Sequence, residues 1–146
     1  GDARRHLGKF QEAIAAYRSA LELGATDPAV RFNLGRILLQ TNRPDEAVTE
    51  LQTQVAEFPS DYEAWVNLGS AEERLGRAEQ AEISYRRATA EDPRRPEAYF
   101  SLARMHLATG DTSSARQALF AYTRVDSTSR QAELARVLLS RLGTEP

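Results

Sequence analysis

The chain has 146 residues, a formal charge of −2, a pI near 5.8 and a mean hydropathy of −0.54. Hydrophobic residues make up 41% and charged residues 27%, a composition that excludes a disordered chain, and the balanced charge gives no field to attract nucleic acid or an anionic membrane. The absence of cysteine excludes disulfides, thiolate nucleophiles and cysteine-ligated zinc; no apolar run approaches the ~20 residues that cross a bilayer.

In chain order, Asp2 to Leu7 reads as the last turns of a helix, and Gly8-Lys9-Phe10 as a short turn with Gly8 at positive φ. No basic-then-apolar start reads as a signal peptide, and the compartment stays open. From Gln11 to Leu23, the residues Ala13, Ile14, Tyr17, Ala20 and Leu21 recur at helical offsets and draw one apolar face. Gly24 ends that helix. Asp27 and Pro28 open the next, Asp27 as N-cap and Pro28 in the first turn, where a missing N–H costs nothing.

Three units of similar build follow, over 28–61, 62–95 and 96–129. The first carries Val30, Leu34, Ile37 and Leu38, turns at Asn42-Arg43-Pro44, then carries Ala47, Val48, Leu51 and Val55 before Pro59. The second starts with Ser60 and Glu63 at capping-box spacing, turns at Leu75-Gly76-Arg77, and places Ala81, Tyr85 and Ala88 inward before Pro93. The third carries Tyr99, Leu102 and Met105, turns at Gly110-Asp111 with Asp111 as N-cap, and places Ala115, Leu119 and Tyr122 inward. A last helix is expected over 130–142, with Thr128 and Gln131 as its capping box; Gly143 and Pro146 end regular structure.

The units repeat every 34 residues: Arg31, Leu34 and Gly35 become Trp65, Leu68 and Gly69, then Tyr99, Leu102 and Ala103. Such a period marks a stacked-repeat protein. Helices of about 13 residues are marginal alone and must be held by packing. The columns show how. Gly8, Asn42, Gly76 and Gly110 stand at turns that need a left-handed residue. Gly35, Gly69 and Ala103, with Ala13, Ala47, Ala81 and Ala115, are small places where helices approach closely. Tyr17, Leu51, Tyr85 and Leu119 fill the space beside them.

With Trp65, Leu68, Gly69, Ala81, Tyr85, Ala88 and Pro93 at the spacing of that family, the second unit resembles a tetratricopeptide repeat, and the resemblance extends over the chain. It implies an all-α fold, a right-handed α-solenoid of antiparallel helix pairs with a concave groove. The chain is then a single domain over 1–146, with a partial repeat over 1–27, three repeats, and a capping or stacking helix at the end. Departures from the family pattern are Glu72 for Tyr, Arg31 in the Trp/Tyr column, Gln54 and Tyr122 for Ala, and Ser127 for Pro.

In the family the first helices of successive pairs line the groove, and offsets from the packed columns place the outward positions. Three columns stand out: Phe32/Val66/Phe100, Asn33/Asn67/Ser101 and Arg36/Ser70/Arg104. Leu39, Arg74 and Leu107 belong to the two columns beyond them. The first offers an apolar row, the others amides and guanidinium groups for a ligand's backbone and carboxylates, residue types that often dominate binding energy. Some members of the family grip a C-terminal carboxylate with Lys and Asn. Here Phe32, Val66 and Phe100 stand where a Lys would be needed, so that clamp is not expected.

The remaining candidates point to packing or solvation. His106 shares a helix-packing column with Leu38 and Glu72, and His6 lies far from it in the repeat frame. Glu72 and Glu73 are adjacent, about 100° apart on a helix, and form no catalytic pair. Arg86-Arg87 and Arg94-Arg95 sit among Glu91, Asp92 and Glu97, a charge-balanced surface. No Gly-rich phosphate loop, HExxH or GxSxG pattern occurs.

The expectation is therefore a non-enzymatic scaffold without cofactor or metal. Its partner is a peptide or protein segment, not nucleic acid, and it does not insert into a membrane. The alternative is a repeat that stacks end to end through unsealed terminal helices, or a segment of a longer array. The Leu-rich last helix, with Leu134, Val137, Leu138, Leu139 and Leu142, gives that alternative its interface.

Overall fold

The structure, a computed structural model, describes residues 2–143. Eight α-helices and no strand occur among them: α1 (Asp2–Glu22), α2 (Pro28–Gln40), α3 (Pro44–Glu57), α4 (Tyr62–Arg74), α5 (Ala78–Glu91), α6 (Glu97–Thr109), α7 (Thr112–Val125) and α8 (Arg130–Gly143). The all-α architecture of helix pairs joined by tight turns is as the sequence implies. The chain divides within α5 into two compact units, Gly1–Ala81 and Glu82–Pro146.

In the first unit α1 lies on α2, α2 on α3, α3 on α4, and α2 also touches α4. The core between them is built from Ile14, Leu34, Leu38, Leu51, Val55 and Leu68, with Phe10, Tyr17 and Trp65 partly buried against it. Burying each such aliphatic side chain contributes about 1.5–3 kcal/mol, which holds helices too short to stand alone. Gly35 sets the distance between α2 and α3. A Cβ there would meet Leu51 Cγ at 2.7 Å, so the helices touch where only a hydrogen fits. The turns need left-handed residues, and Asn42 (φ 56°), Gly76 (φ 72°) and Gly110 (φ 77°) supply them.

Gly8 breaks that column. The expected turn at Gly8-Lys9-Phe10 is absent, and α1 runs without interruption from Asp2 to Glu22. The physical reason is exposure. Asp2 to Lys9 are all solvent-exposed and a Cβ on Gly8 would meet nothing, so no packing demands a turn. A glycine inside a helix costs only about 1 kcal/mol, which the flanking helix formers absorb.

Capping also differs from expectation at two helices. Asp27 and Asp111 cap α2 and α7 as expected, accepting from the Ala29 and Ser114 N–H groups. For α4 the cap is Asp61, not Ser60; its Oδ1 accepts from the Ala64 N–H at 3.1 Å. For α8 the hydroxyl of Ser129, not Thr128, accepts from the Ala132 N–H at 3.0 Å. In both cases the adjacent residue is also a cap former, and the side chain with a second partner wins. Asp61 Oδ2 also accepts from Gln54 Nε2 at 2.9 Å, and the Ser129 hydroxyl donates to Asp126.

In the second unit α6 packs on α7 and α7 on α8. Leu102, Ala103, Ala115, Leu119, Tyr122, Ala132 and Ala135 are buried. The Phe100 and Tyr122 rings lie 5.6 Å apart, tilted by 56°, within the range of favourable aromatic pairs. The Tyr122 hydroxyl donates to Asp126 Oδ2 at 2.9 Å, and Asp126 also accepts from the Thr128 and Ser129 N–H groups. Held chiefly by the Ser129 hydroxyl, the Asp126 carboxyl has its pKa lowered to about 2. Burial pushes the Tyr122 phenol up. α8 includes Gly143, the last of the described residues, and Pro146 lies outside them.

Candidate functional site

The sequence puts the candidate binding residues on α2, α4 and α6, the first helices of their pairs. Within the first unit α2 and α4 are neighbours, which brings Phe32, Asn33 and Arg36 onto a helix beside Val66, Asn67 and Ser70. Arg36 is exposed, while Phe32, Asn33, Val66, Asn67 and Ser70 are half-buried. The Arg36 guanidinium reaches back to Asn33 Oδ1 at 3.4 Å. In the second unit Phe100, Ser101 and Leu107 are half-buried on α6 and Arg104 is exposed.

Helical geometry explains why these positions are left over. Leu34, Leu38, Leu68 and Ala71 turn one side of α2 and α4 into the core, and the residues between them fall on other sides. The two phenylalanines are partly committed to packing. Phe32 leans on the core of the first unit, and Phe100 packs against the Tyr122 ring at a tilt.

Leu39 needs a correction. Expected to face outward, it is 5% exposed and belongs to the core. Its column sits about 100° from the Leu38 column, close enough for a branched side chain to fold under. Arg74, from the next outward column, reaches across instead and donates to the Leu39 carbonyl oxygen at 2.6 Å, tying α4 to α2.

The titratable candidates His106, Glu72 and His6 lie on separate helices. His106 is 8% exposed, with Nε2 3.8 Å from a Glu82 carboxylate oxygen and Nδ1 3.8 Å from Asp111. Glu72 is buried in the same packing column, and His6 is exposed on α1. Arg86 pairs with Glu82 at 2.8 Å and Arg95 approaches Glu97 at 3.6 Å, so both belong to the mixed-charge surface that the sequence suggests. Glu46 is held by a two-point bond from Arg43 at 2.6 and 2.8 Å and by a second bond from Arg18. Chiefly the Arg43 bond draws its carboxyl below the usual range. Among the described residues no group of His, Cys, Asp or Glu is placed to hold a metal, and no helix is long and apolar enough to cross a membrane.

On α8 the exposed hydrophobics are Leu134 and Val137, 49% and 45% exposed; Leu138, Leu139 and Leu142 are half-buried. Two features escape a column-by-column reading of the sequence: the burial of the Gln54 amide, and a cavity at the α1–α2 junction.

Comparison with known proteins agrees with this architecture. A tetratricopeptide repeat family model matches residues 5–71 and 74–139. Cellulose synthase operon protein C of Pseudomonas fluorescens (strain SBW25) is 32% identical over 116 residues, covering 74% of this chain. This chain spans only 9% of that relative's length. The crystal structure of MamA matches with a TM-score of 0.82 at 24% identity, covering 98% of this chain and 88% of that one. The Yersinia enterocolitica type III secretion chaperone SycD, solved with a peptide of the translocator YopD, matches with a TM-score of 0.75 at 17% identity, covering 84% of this chain and 96% of that one. At these identities the two structures speak for the fold alone. With the family model matching on both sides of the chain's midpoint, this protein belongs to the tetratricopeptide repeat family.

Proposed function

We propose that the protein is a non-enzymatic scaffold that holds a peptide or protein segment against the outward sides of its first helices. The observation that carries this reading is the pairing of α2 with α4. The half-buried Asn33 and exposed Arg36 lie on the first of these helices, the half-buried Asn67 and Ser70 on the second. Amides and hydroxyls in that position can bond a ligand's backbone, and the guanidinium a carboxylate. Phe32 and Val66 offer a partly buried apolar floor, and Phe100, Ser101, Arg104 and Leu107 are the equivalent set on α6. The fold relative SycD was solved with a peptide of another protein, which is in keeping with this use of the fold.

The test is a peptide selected from a displayed library, assayed against the wild type and Arg36→Glu/Arg104→Glu. Reversing two exposed charges should weaken binding by roughly tenfold or more, and leave the melting temperature unchanged. Unchanged binding in the double variant sinks the reading. A second reading, self-association through α8, is favoured by the exposed Leu134 and Val137. Light scattering across a concentration range tests it: a strict monomer at high concentration rules it out.

A further inference from the structure

Two of the three repeats anchor an aromatic ring of their first helix on the chain that precedes it. The Trp65 indole N–H donates to the Pro59 carbonyl oxygen at 2.8 Å. The Tyr99 hydroxyl donates to the Pro93 carbonyl oxygen at 3.2 Å. Each ring bonds the residue six positions back, at the same place in its repeat. In α2 the equivalent position is Arg31, and the residue six back is Ala25. Arg31 is engaged elsewhere, with Glu50 at 2.8 Å and Glu57 at 3.8 Å. A cavity of about 270 Å³ opens there, lined among others by Leu21, Ala25, Pro28, Arg31, Gln54 and Phe58.

Gln54 gives a second, independent sign. Its side chain is fully buried, and its Nε2 is used by Asp61 Oδ2 at 2.9 Å. Its Oε1 is buried with no hydrogen-bond partner. Turning the amide over would set Oε1 against the Asp61 carboxylate, an acceptor facing an acceptor. The oxygen therefore calls for a donor from outside the repeat.

We propose that this cavity receives the indole side chain of a tryptophan from a partner protein, which supplies the ring that α2 lacks at the position of Trp65 and Tyr99. Leu21, Pro28 and Phe58 provide apolar walls, and the Arg31 guanidinium can lie against a ring face. The unmet acceptor here is the Gln54 amide oxygen. Indole suits it because its one N–H only donates, whereas a phenol also brings a lone pair. The site lies at the α1–α2 junction, on other residues than the α2–α4 surface, and does not depend on it.

The test uses indole, 1-methylindole and N-acetyl-L-tryptophanamide as probes of the isotope-labelled full chain by NMR. Indole and the tryptophan amide should give saturable shifts at Ala25, Thr26 and the Gln54 side-chain amide. 1-Methylindole, which has no donor, should bind roughly tenfold more weakly. Gln54→Leu should bring indole and 1-methylindole to the same affinity. Arg31→Trp should fill the cavity, abolish indole binding and raise the melting temperature. The proposal is overturned by any of three results: no saturable shift with the tryptophan amide, equal affinity of wild type for indole and 1-methylindole, or indole binding that survives Arg31→Trp.

Discussion

At the α3–α4 junction a ring, an amide and a carboxylate interlock: Trp65 bonds the Pro59 carbonyl, and Asp61 caps α4 while accepting from the buried Gln54. At the α1–α2 junction, one repeat earlier in the same unit, the ring is replaced by Arg31 and the amide by Ala20. Asp27 caps α2 through the Ala29 N–H and has no such amide behind it at the Gln54 place. The space left over is a cavity. One repeat pattern thus tolerates two solutions, one closed by packing and one braced by ion pairs. On our proposal the closed junction carries the stability and the open one takes the ligand.

The comparison can be broken most forcefully at the ring. Trp65→Ala should cost about 3 kcal/mol in urea unfolding, since a large ring leaves a packed and hydrogen-bonded site; an unchanged midpoint would mean the junction is not closed by packing. Next come the two caps. Asp61→Ala should cost about 2 kcal/mol, because it removes an N-cap and leaves the Gln54 amide N–H groups buried without a partner. Asp27→Ala should cost about 1 kcal/mol, the cap alone. Equal losses would show that the Gln54 bond adds nothing. Arg31→Ala should cost no more than about 1 kcal/mol, because its ion pairs are only partly shielded from water.

The smallest effect lies at the α7–α8 junction, where Asp126 plays a related part. Its folded pKa of about 2 lies below the ordinary value of about 3.9. A depressed carboxyl stabilises the fold above its unfolded pKa and loses that contribution as pH falls through the folded one. Unfolding midpoints should therefore drop between about pH 4 and pH 2, and Asp126→Asn should flatten that drop. An equally steep drop in the variant would place the acid sensitivity elsewhere, with Glu46 the next group to examine.

The helix pairs were legible in the sequence because a 34-residue period writes each packing decision three times. Asn42, Gly76 and Gly110 could be read as left-handed because they share a column, and Gly35 as a close approach because Leu51 faces it. Gly8 shares the column without sharing the environment. A turn forms where packing rewards it, and nothing packs on residues 2–9. The caps of α4 and α8 were displaced by one residue because second partners, Gln54 and Asp126, chose between neighbouring candidates. Gln54 was visible as a departure from the family pattern, but its half-satisfied amide depends on atoms brought together only in three dimensions. Leu39 shows the limit of placing side chains by offset alone, since a neighbour of a core column can fold into the core.

Trp65, Leu68 and Gly69 pack against the core, and we propose that their neighbours Val66, Asn67 and Ser70 bind the partner. The most direct measurement is an amide NMR titration of the full chain with a library-selected peptide. The account predicts shifts concentrated at Asn33, Arg36, Asn67 and Ser70, with Pro59-side residues of the α3–α4 junction unmoved. Shifts that leave α2 and α4 untouched while the peptide binds tightly would contradict it.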